Sequence, residues 1–335
     1  MLHKFSRFVV ACTVLLILAG SFVTSTDSGL SVPDWPTTYG WSMFTFPWSK
    51  MVGGIFYEHG HRLIASTVGF LTIGLALWLW FGDSRRWLKW FGIAALGSIV
   101  AQGVLGGLTV LFLLPPAVST AHAALAEIFF CMTVAIALFT SPGWVAGYGG
   151  DQGGADDSTL RRWATVTTAL IFAQILVGAT MRHTGAGLAI PDFPWMFGHV
   201  IPDHWSGKIA IHFTHRVGAV IVGSSIAATS VYVWRHHGDR PELVRPATLI
   251  LFLVALQLML GAFTVLSQRD VSINSLHVVC GALVLTTSLV ITLRSWRVKF
   301  AGLRRSVAAR AQRDEYRRAS PSTASPIATG DGARA

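Results

Sequence analysis

Two short motifs and two further histidines carry the residue types and spacing for chemistry. Glu58-x-x-His61-Arg62 is answered by His212-x-x-His215-Arg216, and a histidine follows each motif at a distance, His122 and His277. His61, His122, His215 and His277 each stand near the head of an apolar stretch. A single histidine in such a place is ordinarily an interfacial hydrogen-bonding residue. Four at related positions point instead to two imidazoles per site. Two imidazoles from facing helices at one depth suit axial ligation of a haem iron. Zinc is the competing metal, but its structural sites take four ligands and often include cysteine or carboxylate. Cys12, Cys131 and Cys280 lie in separate apolar stretches and supply neither a disulfide framework nor a cysteine-based metal site.

The two motifs differ at one position. Glu58 stands where the second copy has His212. Glu58 and His61 are three residues apart and share a helix face. A carboxylate beside a metal-binding histidine in a medium of low dielectric is a candidate for proton transfer or for stabilising positive charge. The plainer alternative is a carboxylate in interfacial water paired with Arg62 or Lys50. Arg62 and Arg216 could pair with haem propionates through charge-assisted hydrogen bonds, or reach for lipid headgroups. His59, His183, His199, His204 and His212 are expected to be solvated or capping, near or in outer loops. Glu127 is an intramembrane acid about 140° round its helix from His122, off the histidine face. Gln102 and Gln257 are expected to tie helices together. Asp34 and Asp192 sit in Pro-Asp-aromatic-Pro turns that read as rigid lids over the histidine pockets.

The elements that must position these groups are membrane helices. Of the 335 residues 52% are hydrophobic and only 13% charged, too few charges to cover a soluble surface. The same balance excludes a disordered chain. A net charge of +10 would fit a nucleic-acid binder, but ten of the 26 Lys and Arg residues follow residue 293, so no nucleic-acid partner is expected. A bilayer core of about 30 Å needs about 20 apolar residues of helix. Charge-free runs place eight spans at 8–25, 63–82, 90–112, 118–140, 163–181, 209–234, 247–268 and 271–293, the third and fourth parted by Pro115-Pro116. The first is expected to be retained rather than cleaved as a signal peptide, since no A-x-A site follows it. Twenty cations fall on the side of the N-terminus and six on the other, which puts both termini in the cytoplasm and the histidines near the outer face of the cell membrane.

The chain also repeats itself. Thr26-Asp27-Ser28-Gly29-Leu30-Ser31-Val32-Pro33-Asp34-Trp35-Pro36 returns as Thr184-Gly185-Ala186-Gly187-Leu188-Ala189-Ile190-Pro191-Asp192-Phe193-Pro194. Gln102, heading Gln-x-x-x-Gly, returns as Gln257, and His122 as His277. Four helices lie between each element and its copy. An even number keeps one orientation, so the fold class expected is an all-α membrane protein of two tandem four-helix bundles, related by a pseudo-two-fold axis along the membrane normal. Residues 1–141 form the N-terminal bundle, 142–160 a Gly- and Asp-rich cytoplasmic linker and 161–294 the C-terminal bundle. Residues 295–335 form a basic tail that is expected to lie partly on anionic lipid and to be disordered over 319–335.

Taken together, over residues 5–295 or so, these motifs resemble those of the haem A synthases of aerobic respiration. The marks are the outer loop 26–36, Glu58-x-x-His61-Arg62, His122, His212-Phe213-Thr214-His215-Arg216 and Asn274-Ser275-Leu276-His277. The resemblance implies an oxidoreductase that converts the C8 methyl group of haem O to a formyl group, by two hydroxylations and loss of water from the gem-diol. It implies a haem b cofactor on His215 and His277, with Arg216 beside it, and a substrate pocket at His61 and His122, with Arg62. Glu58 matches the family's essential glutamate, which is thought to stabilise a cationic intermediate. Haem O synthase, cytochrome oxidase assembly factors and an electron acceptor of unknown identity are the implied partners. The oligomeric state, a homo-oligomer included, is left open. One departure stands out: many bacterial members carry a cysteine pair in the first outer loop, where this chain has Val32 and Thr38, with Ile190 and Met196 at the equivalent second-loop positions. The loop is then expected to be held by its prolines and packing.

Other functions would use the same histidines. A di-haem b-type quinol or electron-transfer protein needs neither Glu58 opposite His212 nor matching lids, and it tends to set its haems at different depths. A haem carrier needs no glutamate. A transporter would show helices broken at mid-span, and no Gly-Pro interruption lies there.

Overall fold

The computed structural model describes residues 1–146 and 157–319, with side chains described through residue 297. Among these residues the fold is all-helical, and eight helices are long and apolar enough to cross a membrane. The helices are α1 (Leu2–Ser25), α2 (Gly54–Gly82), α3 (Arg86–Leu111), α4 (Pro116–Phe139), the short α5 (Pro142–Ala146), α6 (Ser158–His183), α7 (Gly207–His236), α8 (Pro241–Leu266) and α9 (Val271–Ala319).

Local chemistry sets four of the helix starts. Pro116 and Pro241 open α4 and α8, where a missing N–H costs nothing. Asp157 caps α6 by accepting from Thr159 and Leu160 N–H, and Ser206 caps α7 by accepting from Ile209 N–H. The eight spans occur in the expected order, but several helices start earlier than charge-free runs allow. α2 begins at Gly54 rather than 63 because Glu58 and Arg62, which interrupt the run, pair with each other at 2.6 Å on one face of the helix. α6 begins at Ser158 with Arg161 and Arg162 in its first turns, inside the segment expected to be linker. α8 begins at Pro241 and takes Pro246 into its second turn. The last helix does not stop at 293 but runs on to Ala319. The expected linker holds α5; residues 147–156, and 320–335 of the expected disordered end 319–335, lie outside the described residues, whereas Ala319 closes α9.

Packing closes two rings of four. α1, α2, α3 and α4 each pack on the next, and α4 packs back on α1. α6, α7, α8 and α9 do the same, with α9 packing back on α6. The rings meet through α1 and α4 on one side and α6 and α9 on the other. Leu75, Leu79, Leu88 and Ile136 are central to one core, and Leu160, Ile226, Leu243, Ile250 and Leu285 to the other. Many of the remaining large apolar side chains on the helices are exposed, as a lipid-facing surface requires.

Candidate functional site

The four histidines occupy equivalent places on four helical hairpins. His61 lies on α2 against α1, His122 on α4 against α3, His215 on α7 against α6, and His277 on α9 against α8. Each is six to eight residues from the start of its helix, roughly 10 Å down the axis. A glycine of the preceding helix faces each ring. A methyl group on Gly20, Gly106, Gly178 or Gly261 would stand 2.9, 3.1, 2.9 or 3.0 Å from the Cε1 atom of His61, His122, His215 or His277. Those glycines let the backbone approach the imidazole, and a side chain in their place would move it.

His61 is within electrostatic range of His122, and His277 of His215. All four rings are half-buried. The Nδ1 atoms of His61, His122 and His277 are buried and have no hydrogen-bond partner in the protein. Such an orphaned ring nitrogen is costly unless a ligand takes it up. Among the described residues no three His, Cys, Asp or Glu side chains gather as a metal-ion ligand set. Two imidazoles per half fit the axial positions of a haem and fall short of a structural zinc site.

Three glutamines back the histidines. Gln174 Nε2 lies 3.0 Å from His215 Nδ1 and donates to the His215 carbonyl at 2.7 Å. Gln102 Nε2 lies 3.3 Å from His122 Nε2 and donates to the His122 carbonyl at 2.9 Å. Gln257 Nε2 lies 3.3 Å from His277 Nε2. Gln102 and Gln257 therefore do join helices, as expected, and they do so at the histidines. Gln174 escaped sequence reasoning, although Gln174-x-x-x-Gly178 repeats the pattern of Gln102-x-x-x-Gly106 and Gln257-x-x-x-Gly261.

Glu58 and Arg62 strap the first lid to α2. Val32 N–H donates to Glu58 Oε2 at 2.7 Å, and Arg62 Nη2 donates to Glu58 Oε1 at 2.6 Å and to the Val32 carbonyl at 2.8 Å. Arg62 Nη1 donates to the carbonyls of Asp34 and Thr37 at 2.7 and 3.1 Å. The second lid is strapped alike. Ile190 N–H meets His212 Nδ1 at 3.2 Å, and Arg216 donates to the carbonyls of Ile190, Asp192 and Trp195. Arg216 Nε also lies 3.2 Å from His212 Nε2. The guanidinium donors of both arginines are thus committed largely to lid carbonyls. His212 is buried beneath its lid rather than solvated, which corrects the expectation for it. His59 is corrected likewise: it is buried, with Nδ1 3.0 Å from Thr38 Oγ1 and its ring against Phe46. His183 is half-buried, and His199 and His204 are exposed.

Both lids end in one kind of turn. Asp34 accepts from Tyr39 N–H, Gly40 N–H and the Thr37 hydroxyl, and Asp192 accepts from Phe197 and Gly198 N–H. Tyr39, Gly40, Phe197 and Gly198 all have positive φ. Burial pushes the Asp34 carboxyl up, but the bonds from Gly40, Thr37 and Tyr39 outweigh it and bring the pKa down to about 2. At Asp192 burial again opposes the bonds from Gly198 and Phe197, and the net shift is downward. Val32, Thr38 and Ile190 at the absent cysteine positions are fully buried, so packing holds the loops there. The Trp35 indole lies over Gly107 of α3, where a Cβ would come within 2.4 Å of it.

Glu127 is buried in the middle of α4, with Oε2 unpartnered. It shares a helix face with Cys131, which packs on the core of the other ring.

Comparisons with known proteins identify the family. A family model described as cytochrome oxidase assembly protein, COX15-CtaA, matches residues 3–289. The chain is 28% identical to the "Heme A synthase" of Halalkalibacterium halodurans over 285 residues, covering 84% of this chain and 92% of that protein. It is 28% identical over 333 residues to the "Heme A synthase" of Caulobacter vibrioides, covering 87% and 94%, and 27% identical over 274 residues to that of Symbiobacterium thermophilum, covering 80% and 86%. With the family model matched from residue 3 to residue 289, the chain belongs to the cytochrome oxidase assembly protein family, COX15-CtaA.

Proposed function

We propose that the chain is a multi-pass membrane haem A synthase, an oxidoreductase that converts the C8 methyl group of haem O to a formyl group during haem A biosynthesis for cytochrome oxidase. The observation that carries the reading is the asymmetric pair of histidine sites. Both rings of helices hold two imidazoles at matching positions, and only the N-terminal one has a carboxylate, Glu58, a helix turn from its histidine. The names of the relatives, quoted above, support it independently.

In this reading the chain divides at 142–160 into two bundles, related by a pseudo-two-fold axis along the membrane normal. Both termini are cytoplasmic. His215 and His277 hold a haem b, with Arg216 alongside, and that group when bound supplies one-electron redox chemistry. His61 and His122 hold the substrate haem O. The four glycines let the rings seat against the helices, and the lids exclude water from the outer side. Oxidation of a methyl group conjugated to a porphyrin develops positive charge, and a fixed carboxylate nearby stabilises it. Glu58 is fixed in place by Val32 N–H and by Arg62. Each hydroxylation takes its oxygen from water and releases two electrons and two protons; an acceptor outside the chain takes the electrons, and the gem-diol loses one water to leave the formyl group. Haem O synthase and oxidase assembly factors are the partners at either end of the reaction.

The test is haem analysis after expression in a host that makes haem O but not haem A. Non-covalent haem is extracted, separated by reverse-phase chromatography and identified by mass. The expected result is haem A or its hydroxylated precursor alongside haem b. Haem b with haem O unchanged would overturn the assignment in favour of electron transfer or carriage.

A further inference from the structure

We propose that Gln102, Gln174 and Gln257 are positioning residues for His122, His215 and His277, and that Leu16, at the fourth equivalent position, leaves His61 as the releasable ligand through which the substrate haem exchanges. The proposal rests on the reading above that the four histidines are iron ligands.

The four hairpins set the comparison. In three of them the helix preceding the histidine carries Gln-x-x-x-Gly. The glycine makes room for the imidazole, and the glutamine one turn away meets a ring nitrogen at 3.0–3.3 Å. In the first hairpin the glycine is kept, since Gly20 faces His61, but four residues before it stands Leu16. Leu16 is buried with Val68, Ile99 and Phe129 and offers no polar atom to the ring. His61 Nδ1 is buried without a partner, as are those of His122 and His277; what His61 lacks is the glutamine contact that the Nε2 atoms of those two rings have.

A carboxamide suits this task. It presents NH2 to a bare ring nitrogen or, turned over, its carbonyl oxygen to a ring N–H. The Oε1 atoms of Gln102 and Gln257 are buried and unpartnered; turning the Gln257 carboxamide over brings its oxygen to the ring, and at Gln102 the same turn gives up the Nε2 bond to the His122 carbonyl. When iron takes one nitrogen of an imidazole, the other must carry the proton. A partner for that proton fixes the ring and raises ligand basicity, and losing such a partner typically costs about 10- to 100-fold in metal affinity. Functional need follows the same division. A resident cofactor requires two firm ligands, and the C-terminal pair has a glutamine on each. A substrate must bind, react and leave, and the N-terminal pair has one firm ligand and one without support. A difference of about 10- to 100-fold at His61 would let the iron be gripped by His122 while the other side opens.

The full-length protein, purified with its haem in detergent, decides it. Gln174→Met and Gln257→Met keep side-chain length and remove the hydrogen bond, and Leu16→Gln supplies the missing one. The readouts are the low-spin haem EPR signal, the midpoint potential, and the rate at which haem passes to an apo-protein scavenger. In the two methionine variants we expect a shifted EPR signal and potential, with haem b lost about 10- to 100-fold faster. In Leu16→Gln we expect haem in the N-terminal site to be released about 10- to 100-fold more slowly. Misfolding cannot imitate that slower release, so Leu16→Gln stands even if the other variants are unstable. Unchanged signals and rates in the methionine variants would overturn the positioning role, and unchanged release from Leu16→Gln would overturn the asymmetry. A wild-type protein with no low-spin bis-histidine signal would overturn the ligand reading itself, and the proposal with it.

Discussion

In the proposed reading Glu58 holds two functions in one side chain, and the repeat shows how to part them. Its carboxylate accepts Val32 N–H and the Arg62 guanidinium together, and both members of the ion pair are almost wholly buried. His212 stands at the same point of the other half, against Ile190 N–H and Arg216, but a neutral imidazole has only one bare nitrogen to offer. A histidine can therefore hold a lid, more weakly, without supplying negative charge. Glu58→His is expected to keep the first lid closed and to stop formation of haem A. Glu58→Ala is expected to lose both, since removing one member of a buried ion pair costs about 3–5 kcal/mol. Hydrogen exchange across residues 30–40, read beside haem extraction, separates the two outcomes. Haem A formation by Glu58→His would show that the carboxylate only holds the loop.

Each lid is set by an aspartate-centred turn. Asp34 lies at about 2 in the folded protein against an ordinary value of 3.8, so it is a depressed acid. Its contribution to the closed turn is complete above the ordinary value and is lost as pH falls from there towards about 2. The first lid is thus expected to resist an acid protease at about pH 5 and to become cleavable near Tyr39 and Trp41 as pH nears about 2. Asp34→Asn is expected to be cleaved at that site throughout the range. Equal resistance of the wild type and Asp34→Asn at every pH would remove Asp34 from the turn's support. The hairpins below the lids obey a different rule. Their glycines admit the imidazoles, and their glutamines meet them, because residues four apart on a helix share a face.

Across the whole molecule the two rings are joined at the lid end by a small polar knot. Ser25 Oγ on α1 receives Arg182 Nη2 from α6, and Asn274 Nδ2 and Ser275 Oγ from α9, each at 3.0 Å. Arg182 also donates to the Ser21 carbonyl, and Arg269 reaches Asp27 at 3.6 Å. Ser25→Val would leave several of these donors buried without a partner, at about 1–3 kcal/mol each. We expect a lower thermal unfolding midpoint in detergent and earlier loss of haem. An unchanged midpoint would mean that apolar packing of α1 and α4 on α6 and α9 joins the halves by itself.

The sequence by itself determined the membrane class, the number and order of the spans, the tandem pattern and the four histidines. Lipid cannot satisfy a bare backbone, so spans must be long apolar helices, and these leave a plain trace in hydropathy. Repeated motifs survive as spacing, which needs no coordinates. The tertiary structure decided what depends on two distant segments meeting. The start of α2 was missed because Glu58 and Arg62 count as charges in a sequence and as a neutral pair when folded. His59 and His212 were misjudged because only the returning lid covers them. Propionate and headgroup are candidate partners of Arg62 and Arg216 in the sequence, and the fold adds lid carbonyls about 25 residues away in the chain, with Glu58 also on Arg62. Gln174 was unmarked because a glutamine gains meaning only from the ring it faces across two helices. Local composition decides where a segment sits relative to the bilayer. Which polar group meets which is settled by packing, and that depends on the whole chain at once.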